Sequence, residues 1–150
     1  MKRKLVLKIT LIILIIVLFV ILGGYVYMKN QEKELIQEQK PRIEKFLNYN
    51  FNNIKSISLT NTYTNPTGVV HIEGYINDDK KLWIDAAVSG KNGVEVVNVT
   101  NYIDDHYVKP QYRYKFKNVT DIETEEKAKK KESSSTTTPK KRTFSSRYLR

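Results

Sequence analysis

The sequence predicts an α+β protein: an N-terminal transmembrane helix, one helix packed on a four- or five-stranded antiparallel meander, and a disordered basic tail. Three observations carry this. Ile9 to Met28 is an almost unbroken apolar run. Beyond Asn53 the apolar period changes from 3.6 to 2, which is the change from helix to half-buried strand. The net charge of +10 belongs to the two ends of the chain.

In the apolar run only Thr10 is polar. At 1.5 Å per residue, about 20 residues cross a hydrocarbon core roughly 30 Å thick. A helix of that length in water would need a polar face, and this one has none. Ile9, Leu14, Leu18 and Leu22 are the lipid-facing anchor residues, with Tyr25 and Tyr27 at the interfacial aromatic belt. Lys2, Arg3, Lys4 and Lys8 form a basic N-terminus over residues 1–8, which the positive-inside bias holds in the cytoplasm. A cleaved signal peptide is the rival reading. The run is long for one, and its exit, Gly23-Gly24-Tyr25-Val26-Tyr27, sets aromatics where cleavage favours small residues. The anchor is therefore expected to stay, with the rest of the chain extracellular at the cell membrane. Absence of cysteine excludes disulfides, thiolate metal sites and a lipid-modified lipoprotein.

Pro41 divides the next stretch, since proline is welcome in the first turn of a helix and disruptive inside one. The expectation is a charged stalk over 29–40 and a domain over 41–120, opening with a helix from Pro41 to Tyr49; one helix continuous with the anchor is the alternative. Ile57 and Leu59 mark a first strand. Asn65-Pro66-Thr67-Gly68 is a turn, with proline presetting one φ and glycine accepting a positive one. Val70, Ile72, Gly74 and Ile76 follow on one face, His71, Glu73 and Tyr75 on the other. After Asn77–Lys80, Leu82, Ile84, Ala86 and Val88 point inward and Trp83 and Asp85 outward. Gly90–Gly93 turns into a fourth strand, Val94 to Tyr102. A core of Ile43, Phe46 and Leu47 against the inward strand residues gives a cystatin-like outline.

Residues 1–31 carry five Lys/Arg and no acid, 32–120 carry twelve against eleven, and 121–150 carry nine against five. A near-neutral domain argues against nucleic acid as a partner, which would need the charge on the fold. The basic, low-hydrophobicity stretch 121–150 is expected to be disordered.

Pro41-Arg42-Ile43-Glu44-Lys45-Phe46-Leu47-Asn48-Tyr49-Asn50, Asn53 to Ile57, Asn65 to Gly68 and Gly74-Tyr75-Ile76-Asn77 together resemble a family of short, uncharacterised exported proteins of Gram-positive bacteria, a domain of unknown function. The resemblance covers roughly residues 35–100. Many members of that family are membrane- or lipid-anchored; for this chain the resemblance implies a cystatin-like fold, and it supplies no activity.

Catalytic candidates are weak. His71 beside Glu73 is read as a surface or packing residue, and Asp104-Asp105-His106 as a turn rather than a cation site. No serine stands in the glycine elbow of a hydrolase. The first hairpin reads Thr64-Asn65-Pro66-Thr67-Gly68-Val69-Val70 where cystatin-type inhibition needs Gln-x-Val-x-Gly. No enzyme activity, cofactor or metal is expected. Tyr107 to Lys117 is read as a fifth strand, with Tyr112, Tyr114 and Phe116 on the domain and Arg113, Lys115 and Lys117 in solvent. The candidate binding surface is Tyr75, Trp83, Arg113, Lys115 and Lys117. The functional expectation is a membrane-anchored, non-catalytic binding protein with an unidentified protein partner, immunity-type or envelope-related. The alternative is an envelope-surface protein whose basic tail holds anionic lipid or wall polymer.

Overall fold

The computed structural model describes residues 2–135. Helix α1 runs from Lys2 to Asn50 and is followed by strands β1 (Ile57–Thr64), β2 (Val70–Ile76), β3 (Trp83–Ser89) and β4 (Gly93–Val99). Helix α2 (Asn101–Tyr107) and helix α3 (Val119–Ser135) complete the described residues, with single 3-10 turns at Gly90–Asn92 and Pro110–Tyr112. The strands form one antiparallel sheet in the order β1-β2-β3-β4, the meander the turn spacing predicts.

The stalk and the domain helix are one element. Pro41 lies inside α1, where it removes a hydrogen bond to the preceding turn and costs about 3 kcal/mol. Packing on both sides of the proline offsets that cost. Leu35 and Ile36 pack against the core before it, and Ile43, Phe46 and Leu47 are fully buried after it. The continuous helix, not the interrupted one, is what the fold adopts.

Ile43, Phe46, Leu47 and Phe51 meet Ile72, Ile76, Ile84, Ala86, Val94 and Val97 in the core, as the alternation of the strands predicts for β2 and β3. At Gly74 β1 lies close against β2: a Cβ there would stand 2.3 Å from the Ser58 carbonyl oxygen.

At each open edge of the sheet a strand amide is held by a side chain of α1. The Thr62 N–H of β1 donates to Glu32 Oε1 at 2.8 Å. At the other edge the Val94 N–H donates to the buried Gln39 Oε1 at 2.9 Å, and Arg42 Nε donates to the Val94 carbonyl at 2.9 Å. Gly93 is required beside this contact, because its φ is +70° and a Cβ would meet Gln39 Oε1 at 2.3 Å. Edge amides invite pairing with other strands, and these two are satisfied from within.

This also explains why the expected fifth strand is absent from the described residues. The edge it would join is taken by Gln39 and Arg42, and Pro110 has no N–H to give a ladder. Tyr107 to Lys117 instead makes one bridge, Val108 to Phe51, and a 3-10 turn. Phe116 packs on the core and Tyr112 on Tyr49, but Tyr114 is 97% exposed, so the predicted alternation fails. The fourth strand stops at Val99, short of Tyr102, because the Thr100 hydroxyl accepts from the Ile103 N–H and starts α2. Asp104, Asp105 and His106 are therefore helical rather than a turn; His106 Nδ1 donates to the Tyr102 carbonyl and its ring stacks on Tyr102.

The predicted disorder from Asp121 is corrected as far as Ser135. Asn118 Oδ1 accepts from the Asp121 N–H and caps α3, while Val119 and Ile122, on one helical face, are fully buried. The acidic first half of α3 then pairs with α1, Glu123 and Glu126 with Lys45 at 3.5 and 3.0 Å, while Glu125 accepts from the Tyr49 hydroxyl of α1 and pairs with Lys117 in the segment before α3. The rest of the expected tail, 136–150, lies outside the described residues.

Buried Asn50 clamps the helix end to this segment. Its amide donates to the carbonyls of Phe46 and Lys117, and its Oδ1 accepts from the Lys117 N–H. Lys109 Nζ caps the free carbonyls of Asn48 and Tyr49, the expected place for a cation at a helix C-terminus.

Candidate functional site

Two surfaces have no partner among the described residues: the first half of α1 and the outer face of the sheet. α1 is long and apolar enough to cross a membrane, and none of its apolar stretch is buried against the protein. Ile9, Leu14, Leu18, Leu22, Tyr25 and Tyr27 are all exposed. At the exit of the stretch, Gln31 donates to the Tyr27 hydroxyl and Lys29 pairs with Glu32 at 2.6 Å. Lys29 and the Thr62 N–H together hold the Glu32 carboxyl below the usual carboxylate range, Lys29 contributing most.

On the sheet, the face opposite α1 carries Tyr63, His71, Glu73, Tyr75, Trp83, Asp85 and Val96. The register sets Tyr75 directly opposite Trp83, and Tyr63 opposite His71. Tyr63, Trp83 and Val96 are each exposed by 40% or more. Tyr75 and Trp83, picked from the sequence separately, are thus one cross-strand pair. The structure does not bring Arg113, Lys115 and Lys117 to them. Lys117 lies on the helical side, bonded to Glu125 and 5.9 Å above the Tyr49 ring, while Arg113 and Lys115 are exposed in the irregular segment before α3.

Tyr63 and Val96 are the outer-face residues the sequence reading missed. Strict alternation from Ile57 and Leu59 would turn Tyr63 inward, but the register shifts between Leu59 and Asn61. A bulge there reverses the parity, so Tyr63 emerges beside His71. A second shift, between Ala86 and Val88, lets Val94 and Val97 both face the core and leaves Val96 outside.

Beneath the aromatics lies a polar group set. His71 Nδ1 stands 2.9 Å from the buried Asp85 carboxylate, and Tyr63 stacks on the imidazole at 4.9 Å. Asn65 Oδ1 already accepts from Thr67 N, Thr67 Oγ1 and Val69 N, so its amide nitrogen is the group that faces His71 Nε2 at 3.1 Å. Nε2 therefore accepts and Nδ1 carries the proton to Asp85. Both ring nitrogens are occupied, which suits bracing of the hairpin. Desolvation first, then Asp85 and Glu73, push the Tyr63 phenol above its ordinary value. Glu73 accepts instead from Asn61 Nδ2 at 2.8 Å. Among the described residues no three His, Asp or Glu side chains converge as a metal site.

No curated protein matches this chain. Among solved structures, the chain is similar to the solution NMR structure of the folded 79-residue fragment of a Listeria innocua protein, at 26% identity, over 61% of this chain and 94% of that one, with a TM-score of 0.47. Residues 35–124, more than half of the chain, match the family described as protein of unknown function (DUF1433), and the chain belongs to that family.

Proposed function

We propose that this chain is a single-pass membrane protein, N-terminus in the cytoplasm, holding a non-catalytic binding domain of cystatin-like outline outside the cell. One observation carries the reading. A single helix joins an unburied apolar stretch to a domain whose outer sheet face, with Tyr63, Tyr75, Trp83 and Val96, has no cover among the described residues. Large aromatics on an uncovered face bring contact area at low entropic cost, as protein interfaces require. The partner is a macromolecule of the envelope or an exported protein, in which case the role is immunity-type.

Because the chain has no cysteine, single-cysteine variants report topology cleanly. In intact cells a membrane-impermeant maleimide should label Lys80→Cys, and should label Arg3→Cys only after permeabilisation. The reverse pattern overturns the orientation. A photo-crosslinking residue at Trp83 should give a discrete, stoichiometric adduct in membranes that Lys55 does not; no adduct at Trp83 counts against the binding surface.

The second reading is attachment to anionic lipid or wall polymer through the basic tail. It is favoured by the run Lys127, Lys129, Lys130 and Lys131, which follows the acidic half of α3. Replacing Lys127, Lys129 and Lys130 by glutamine together with removal of residues 136–150 should then weaken salt-sensitive sedimentation with anionic vesicles or wall. Unchanged sedimentation removes this reading.

A further inference from the structure

The sheet starts almost at the point where α1 leaves its apolar stretch. Met28 ends that stretch, and Glu32, four residues on, already holds the Thr62 N–H of β1. Four helical residues advance only about 6 Å.

β1 also runs back toward the anchor. Ile54 and Ile57, at its start, line a hollow with Glu44 and Asn48, far along α1. Thr62, near its end, stands beside Glu32. From Thr62 the strand continues to Thr64 and turns at Asn65–Gly68. Three strand residues advance roughly 10 Å. Even when tilted against the helix, the strand covers the distance from Glu32 back to Met28. By that reckoning the turn stands near the level of Met28, where the apolar stretch ends.

The composition of this hairpin suits that level. From Ser56 to Ile72 there is no Asp, Glu, Lys or Arg, the longest such stretch beyond the anchor. Pro66, Thr67 and Gly68 are exposed at the tip, with Tyr63 exposed just before it. The turn also satisfies its own backbone: Asn65 Oδ1 takes the amides of Thr67 and Val69, the Asn65 carbonyl takes that of Gly68, and the Asn65 N–H goes to the Val69 carbonyl. Unpaired amides are what make loops costly near hydrocarbon, and this tip has few to expose. The opposite end of the sheet carries Asp78, Asp79, Lys80 and Lys81 in its β2–β3 connection.

We infer that the Asn65–Val69 turn is a second, shallow foothold of this chain in the headgroup layer of the bilayer that holds its own helix. The inference rests on reading residues 9–28 as a membrane span. With helix and hairpin both seated, the domain has a fixed orientation, and its outer sheet face stands at the side of the sheet rather than against the lipid.

The test uses the full chain in vesicles of phosphatidylcholine and phosphatidylglycerol, with single cysteines at Thr67, Lys80 and Leu18, each carrying an environment-sensitive fluorophore. A nitroxide on the lipid headgroup should quench the Thr67 probe several-fold more than the Lys80 probe, and the Thr67 emission should lie further to the blue. Equal quenching at the two positions overturns the foothold. The Leu18 probe, read with a nitroxide deep in the acyl chains, separates the two failures. A quenched Leu18 with a water-exposed Thr67 refutes the hairpin alone, whereas an unquenched Leu18 overturns the span and the foothold with it. Inserting four alanines after Asn30 adds slightly more than one helical turn and lifts the domain by about 6 Å. Thr67 quenching should then be lost while that of Leu18 persists; retention at Thr67 overturns a depth set by the helix.

Discussion

The two halves of α1 are equally helical and solve opposite problems. From Ile9 to Met28 the apolar side chains point in every direction and are all left outside the protein. From Leu35 to Asn50 they form a stripe, and Ile43, Phe46 and Leu47 on that stripe have no exposed surface, while Lys40 and Glu44 on another side remain half exposed and paired. An all-round apolar helix calls for an apolar solvent, and a striped one for a sheet. One helix can do both because the backbone is satisfied internally in either setting. The side chains alone decide which environment each half seeks.

The sharpest way to break this contrast is a matched pair of truncations. Phe46→Ala should destabilise the domain by about 3–5 kcal/mol in urea unfolding, as large deletions in a packed core do. Leu18→Ala should leave the same transition unmoved, and a shift there would deny that the halves are independent. Ile122→Ala should cost about 2–5 kcal/mol, since its side chain is fully buried although the composition around it reads as disordered. A neutral result would return α3 to the tail.

Glu32→Ala touches the junction of the two halves. Losing its bond to the Thr62 N–H should cost about 1 kcal/mol and speed exchange of that amide by hydrogen–deuterium measurement. The smallest effect is expected from acid. Lys117 first, and the Tyr49 hydroxyl second, hold the Glu125 carboxyl below its ordinary value of 4.5. The contribution of that carboxylate is therefore complete above pH 4.5 and is lost as pH falls through the lowered value. Amides of α3 should exchange faster there, while those of β2 and β3 hold.

Much of this was legible along the chain. The apolar helical stretch, the Asn65–Gly68 turn, the alternation of β2 and β3 and the outward Tyr75 and Trp83 follow from local periodicity and turn chemistry. The misreadings share a cause. Local grounds alone break the helix at Pro41 and leave the segment after Asp121 disordered, and contacts from residues far along the chain override both. Tyr63 was hidden by a bulge, which changes no residue type and reverses every side chain beyond it. Asp85 looked like a solvent-facing polar residue until the register brought it to His71.

The sequence by itself determined the long apolar helix, the four strands and the family, because these rest on patterns repeated within a few residues of one another. Only the tertiary structure decided that the helix runs through Pro41, that Glu32, Gln39 and Arg42 bond to the edge strands at Thr62 and Val94, and that α3 belongs to the fold. Those outcomes depend on hydrogen bonds and ion pairs between residues 30 or more positions apart. Such partners are set by how the elements meet in space, which no local pattern encodes.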